Sequence, residues 1–245
     1  ALPIFIYRNH ENPDPEKMEK LSLFIRNFGF GMKTMKDEVH PKEIQKLLER
    51  IEGSSEEAMI SRLALRSMKQ AKYTTDCVGH FGLAARYYTH FTSPIRRYPD
   101  LQIHRIIKEN LHGRLGEKRL SHYGKLLPEA AVWTSSRERL AEEAERETEK
   151  AKKVQYMERR IGEVFDGVIS GISNYGFYVE LPDTVEGMVH VSELDGDYYV
   201  FNEAHYELVG ERTRKRFKLG QPIRVQVVAV DRYLKTIDFL PVREF

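Results

Sequence analysis

The chain has 245 residues, 41% of them hydrophobic and 31% charged, enough for one large domain or two modest ones, each with its own core. No apolar run approaches the ~18 residues a membrane helix needs, and a formal charge of +2 leaves any polyanionic partner to be argued from local charge. The single cysteine, Cys77, excludes an intrachain disulfide framework and a cysteine-based zinc site, and it fits a reducing, cytoplasmic home.

Residues 1–7 form a strand-like run with neither an initiator methionine nor a basic leader and apolar core. This suggests a piece of a longer chain that carries no signal peptide. Pro13-Asp14-Pro15 starts a helix with Met18, Leu21, Phe24 and Ile25 on one face, ended by Gly29 and Gly31. A second helix opens at Pro41 and carries Ile44, Leu47, Leu48 and Ile51 as far as Gly53. In the third, Ser54 and Glu57 occupy capping-box positions ahead of Ile60, Leu63, Ala64 and Met68.

A glycine- and aromatic-rich segment follows from Gly79 to Tyr98, and Pro99 opens the next helix, with Leu101, Ile103, Ile106, Ile107 and Leu111 apolar and Gly113 at its end. Arg96 and Arg97 therefore stand just before a helix amino terminus. A long charged helix is expected from about Pro128 to Arg159, with Leu140, Ala141, Ala144, Thr148, Ala151 and Gln155 as a small-residue stripe. From Gly162 onward the pattern changes to short alternating runs at 164–171, 175–181, 187–191, 222–231 and 235–240, which predict a small closed barrel with a polar insertion at 195–219. Basic residues crowd two stretches: Arg96, Arg97, Arg105, Lys108, Arg114, Lys118 and Arg119, then Arg212, Arg214, Lys215, Arg216 and Lys218.

Ile161 to Val168, Asn174-Tyr175-Gly176-Phe177-Tyr178-Val179, Glu186 to Ser192 and Val230-Asp231-Arg232 together resemble an S1 RNA-binding domain. Such a barrel presents aromatic rings as stacking platforms, worth ~1–3 kcal/mol per base, flanked by cations for the phosphates. The resemblance puts the RNA-facing positions at Tyr175, Tyr178, His190, Asp231 and Lys235. On the residues alone, burial of either tyrosine or of the histidine in the core stays open.

His80-Phe81-Gly82-Leu83 and Thr92-Ser93-Pro94-Ile95-Arg96-Arg97-Tyr98-Pro99-Asp100-Leu101 resemble the carboxy-terminal part of the RNB domain of the RNase II/RNase R exoribonuclease family, nearer its RNase R side. The resemblance implies an α+β chain in which residues 1–160, mainly helical, are the end of an RNB domain and residues 161–245 a five-stranded S1 barrel of the OB-fold. It also implies a parent enzyme that hydrolyses single-stranded RNA from the 3′ end to nucleoside 5′-monophosphates with Mg²⁺, cytoplasmic and monomeric, with no membrane partner. Within it, Arg96 grips the terminal phosphates, Arg97 the backbone further away, and Glu145 lines the catalytic chamber. Against this, Arg96 could simply cap the next helix through Asp100, while Glu142, Glu143, Glu147 and Glu149 read as solvated. The family's aspartate-rich metal-binding run has no counterpart here. The nearest pair, Asp195 and Asp197, reads better as a turn, so no metal ligand is expected in the chain. A non-catalytic RNA-binding adaptor on a decayed RNB fold, or a protein-interaction module, is the alternative.

Overall fold

The computed structural model describes residues 4–35, 38–54, 56–202 and 205–242. They fall into two compact units, the first from Ala1–Leu23, Gly31–Arg50 and Leu63–Glu143, the second from Phe24–Phe30, Ile51–Arg62 and Ala144–Phe245. In chain order the amino-terminal elements are β1 (Tyr7–Asn9), α1 (Pro15–Arg26), β2 (Thr34–Met35), β3 (Glu38–Val39), α2 (Pro41–Ile51), α3 (Glu57–Ser67), β4 (Lys72–Thr74), α4 (Tyr98–Leu111) and α5 (Glu117–Met157). The strand expected over residues 1–7 is displaced along the chain, sharing only Tyr7 with β1. It begins at Tyr7, and residues 1–3 lie outside the described residues.

In the first unit β1 pairs antiparallel with β4, and a core gathers around Ile6, Tyr73, Ile103, Ile106, Tyr123, Leu127 and Ala131. The Tyr73 amide donates to Ser135 Oγ at 2.9 Å, tying β4 to α5. Helix α5 starts eleven residues before Pro128, which sits inside it. An interior proline costs roughly 3 kcal/mol. Tyr123 and Leu127, both essentially buried, each return about 1.5–3 kcal/mol in the turns ahead of it, so packing overrides the breaker.

The apolar face of α1 is buried as expected, through Met18, Leu21, Phe24 and Ile25, whereas Leu48 of the α2 stripe is exposed. At α3 the capping box forms one residue out of place: the Glu57 carboxylate accepts the amide of Gly53 at 2.7 Å, and Ser54 Oγ has no partner among the described residues. The small-residue stripe of α5 is a larger departure. Leu140, Ala141, Ala144, Thr148, Ala151 and Gln155 are all exposed, since a face with one large apolar side chain offers too little apolar area to be drawn inward; Val154 and Met157 are buried instead.

The second unit holds β5 (Val164–Ser173), β6 (Gly176–Glu180), β7 (Glu186–His190), β8 (Tyr199–Asn202), β9 (Glu207–Gly210), β10 (Arg216–Lys218), β11 (Pro222–Asp231) and β12 (Thr236–Pro241). Five of these close a barrel in the order β11-β12-β7-β6-β5, all antiparallel except β12 against β7. Phe177, Val179, Val189, Val225, Val227 and Phe239 fill its interior, joined by Val154 and Met157.

The polar insertion is not a loop. Its strands form a separate antiparallel sheet in the order β10-β9-β8, and Tyr199, Leu208 and Phe217 send their side chains into the barrel core. Short strands of three or four residues, in which one or two side chains turn inward, look polar in sequence. On β6 and β7, Glu180 lies directly opposite Glu186, a repulsive pairing. Arg62 relieves it, donating to Glu180 at 2.5 Å and to the Ser170 carbonyl at 3.0 Å, while Ser170 Oγ donates to Glu186. Among the described residues no helix is long and apolar enough to cross a membrane.

If the insertion is part of the core, Phe217→Ala costs about 3–5 kcal/mol of stability, the range for truncating a buried phenylalanine. A surface-loop position would lose under about 0.5 kcal/mol. Urea unfolding followed by circular dichroism separates the two.

Candidate nucleic-acid interface

Alternation along the barrel strands decides which aromatics reach solvent. On β6, Phe177 and Val179 point into the core, so Tyr178 between them points out, 40% exposed. Across the sheet Tyr178 faces Met188 of β7, which faces Asp238 of β12, and two pairs further along β7 His190 lies opposite Gly176. His190 Nε2 is 3.8 Å from Asp238 Oδ1. Gly171, the β5 neighbour of Tyr178, leaves space for its ring: a Cβ there would sit 3.3 Å from Cδ2.

Tyr175 occupies the β5–β6 turn and is 74% exposed. The next residue must be glycine, since Gly176 has φ +139° and a Cβ on it would come within 2.0 Å of the Val189 carbonyl oxygen. That close approach lets the Val191 amide donate to the Tyr175 carbonyl at 2.8 Å, which holds the turn against the end of β7. Tyr178 and His190 thus share one open face with Met188 and Asp238, members that sequence reasoning passed over, and Tyr175 lies exposed in the turn that leads into β6.

Asp231 and Lys235 flank the β11–β12 hairpin, and each is already occupied. The Asp231 carboxylate accepts the amides of Tyr233 at 2.7 Å and Leu234 at 2.8 Å, closing a turn whose tip exposes both side chains. Lys235, in the left-handed region at φ +54°, donates to Glu147 of α5. Glu147 is therefore engaged and not merely solvated, and its carboxyl is held below the usual range, first by the Lys235 bond. Glu142 likewise accepts from Gln70 at 3.0 Å. Glu145 is exposed on α5 beside the open stripe, with no partner among the described residues, and it does not border a packed face.

In the first unit the turn before α4 is organised by Asp100, which is fully buried. Its Oδ2 accepts the Ser93 amide at 2.8 Å and the Arg97 guanidinium at 2.9 and 3.2 Å, and Oδ1 has no partner among the described residues. Arg97, not Arg96, is therefore the arginine bound to Asp100. Arg96, on the same turn, is exposed and has no side-chain partner among the described residues. The first basic stretch is further reduced at Arg119, whose guanidinium is bound to Glu109 at 2.6 and 2.9 Å.

Beside this turn runs a ladder of edge-on rings: His10 to His80 at 5.1 Å, His80 to Tyr88 at 5.0 Å, Tyr88 to His90 at 5.8 Å and His90 to Tyr73 at 5.6 Å. Arg8 lies over the Tyr73 ring at 4.7 Å and pairs with Glu138 at 2.5 Å. Burial, then the neighbouring His10 and Arg8, pushes His80 down to about 4. Burial and then Arg97 do the same to His90. The sequence held a signal for this ladder in its run of histidines and tyrosines, but no spacing rule links His10 and Tyr73 to it.

No three or more His, Cys, Asp or Glu side chains among the described residues are grouped to hold a metal ion. Asp197 is the informative case. Its oxygens accept the amides of Tyr198, Arg212 and Thr213 and the Thr213 hydroxyl, which drive its pKa far down and leave it a turn anchor. The donor set thus does not fit the metal that the family resemblance implies. An apolar cavity of about 520 Å³ in the second unit, rimmed by Arg62 and Glu180, is lined by neither tyrosine nor by His190 and is no part of the interface.

Residues 3–113 match the RNB domain family, and residues 158–240 match the S1 RNA binding domain family. Ribonuclease R 1 of Lactococcus lactis is 44% identical over 98% of this chain and 29% of its own length. Ribonuclease R of Thermotoga maritima is 43% identical over 100% of this chain and 34% of its own. The chain thus spans about a third of the length of these curated relatives. Among solved structures, Mycoplasma genitalium RNase R is 25% identical and superposes with a TM-score of 0.88 in its apo form and 0.87 in complex with ribose methylated single-stranded RNA. In both cases 97% of this chain and 38% of that one are covered.

Two outcomes follow from this geometry. Tyr175→Ala with Tyr178→Ala weakens single-stranded RNA binding by ~2–5 kcal/mol at unchanged circular dichroism, since both rings are open to solvent; unfolding of the double variant would instead make them core residues. The histidine ladder sets a pH dependence. With folded pKa values near 4 against an ordinary 6.5, the unfolded chain takes up protons first, so stability is full above about pH 6.5 and falls as pH drops toward 4. Melting temperature measured across that window checks the sign.

Proposed function

We propose, of a chain that belongs to the RNB ribonuclease family and carries that family's S1 domain, that it is the RNA-gripping carboxy-terminal part of a 3′→5′ exoribonuclease. The open face of Tyr178 and His190, with Tyr175 exposed in the adjoining turn, is the single observation that carries the RNA reading. Exposed rings on adjacent strands and turns contribute little to a core and much to base stacking. The domain boundary is set at 160/161. Bases stack on the two tyrosines without sequence preference, His190 and Lys235 hold phosphates at the edge, and Asp231 keeps the hairpin in shape. Lys235 must exchange its bond with Glu147 for a phosphate.

In the RNB part, Arg96 is the free guanidinium for the 3′-terminal phosphates, planar and able to bind two oxygens at once. Arg97 contributes charge while Asp100 fixes its position, and Glu145, exposed on α5, lines the parent's catalytic chamber. The parent uses Mg²⁺, held by carboxylates outside these residues, and works as a cytoplasmic monomer on single-stranded 3′ ends. The lack of a metal-ligand group among the described residues also suits a second reading, an RNA-binding adaptor. An aspartate-rich run upstream in the full gene favours the enzyme, and its absence the adaptor.

Fluorescence anisotropy with single-stranded RNA tests the reading: affinity falls steeply with salt, at roughly 0.7 counterions released per phosphate contact. A flat response removes the electrostatic half of the proposal. The isolated chain releases no nucleoside monophosphate at any Mg²⁺ or Mn²⁺ concentration, and EDTA-sensitive release by the purified chain would reveal a metal site within it. In the longer parent, Arg96→Ala lowers kcat by a larger factor than it weakens RNA binding.

A further inference from the structure

The segment from Glu211 to Lys218 holds five cations and one carboxylate, and the structure gathers it on one edge of the β10-β9-β8 sheet. Phe217 anchors the strand in the core, so Arg216 and Lys218 on either side of it point outward. The turn before β10 is held firmly. Asp197 accepts the amides of Arg212 and Thr213, Arg212 donates to the Gly196 carbonyl at 2.8 Å, and Arg214 adopts φ +58° with its amide bonded to the Gly210 carbonyl.

Nearby anions do not neutralise these cations. Both oxygens of Asp197 take backbone amides from the turn, and Glu207, nearly buried, is paired with Arg216 at 3.3 Å. Arg214 and Lys218 have no side-chain partner among the described residues, and Lys215 only leans over the Phe217 ring at 5.1 Å. As an outer strand of its sheet, β10 pairs with β9 alone. From Glu211 to Lys218 every exposed side chain is polar or charged, and of the exposed apolar side chains Val200 and Tyr198 stand beside the run, so the surface suits a flexible polyanion better than a protein face.

We propose that the β9–β10 turn and β10 form a second phosphate track of the carboxy-terminal unit, separate from the tyrosine face, that holds the backbone of single-stranded RNA through Arg214, Lys215 and Lys218. The track rests on the RNA reading above and extends the footprint of the barrel beyond the few nucleotides that two stacked rings can hold. It reads no base, because it offers only cations and backbone donors.

The test compares the chain with the triple variant Arg214→Ala, Lys215→Ala, Lys218→Ala. Arg216 is left in place because its removal would strand the buried Glu207 carboxylate. Binding of a single-stranded RNA of about 5 nucleotides, enough for the aromatic face, and of one of about 20 is followed against salt. For the long RNA the variant's slope of log affinity against log salt becomes shallower by about 2, three contacts at ~0.7 each. The short RNA keeps its slope, and Arg214→Lys with Lys218→Arg keeps both. An unchanged slope on the long RNA overturns the track, and an equal loss on the short one shows that these cations belong to the tyrosine face. If the unmodified chain binds neither RNA, the RNA reading itself falls.

Discussion

Closure of the barrel is the constraint on which the second unit depends. Once β11 pairs with both β12 and β5, every strand has one face committed to a shared interior, and alternation leaves no choice about the other. Phe177 and Val179 go in, so Tyr178 goes out; Gly187 and Val189 go in, so Met188 and His190 go out. The aromatic face is thus a by-product of filling the core. Its precision comes from two glycines, Gly171 beneath the Tyr178 ring and Gly176, where β6 meets β7 too closely for any side chain.

In the first unit a buried carboxylate plays the corresponding part. Taking Asp100 out of water is costly unless its oxygens are bonded, and one of them receives a backbone amide and a guanidinium at once. That commitment fixes the Ser93–Arg97 turn and consumes Arg97. The arginine left over, Arg96, can bind an anion without first breaking an ion pair. Two adjacent arginines of the same type therefore differ in availability because of one aspartate three residues further on.

Much of the charge visible in the sequence is internally balanced. Arg97, Arg119, Arg62, Arg232 and Lys235 all have carboxylate partners, most of them distant in the chain. Apart from Arg97 with its buried Asp100, such solvent-accessible pairs add little stability, in the range of 0–1 kcal/mol, yet together they determine which cations remain available to a polyanion. Counting basic residues along the chain overestimates the first cluster for this reason. The second cluster keeps more of its cations unpaired, because Glu207 takes up Arg216 alone and Asp197 is engaged by backbone amides.

By itself the sequence determined what depends on local pattern: the helices through their apolar spacing, the five barrel strands through alternation, and the tyrosines and histidine through their place beside a glycine turn. It misjudged features in which distant residues compete. Helix α5 runs through Pro128 because Tyr123 and Leu127 find a core, and its small-residue stripe stays exposed because Leu140 is its one large apolar member. The insertion became a sheet because Tyr199, Leu208 and Phe217 reach an interior built by other strands. Likewise, only the tertiary structure decided that Glu147 meets Lys235 and that His10 and Tyr73 join His80 and His90. Spacing along a chain encodes which face a residue occupies; which partner waits on that face depends on contacts between residues up to 130 positions apart, as in the pair Arg8–Glu138.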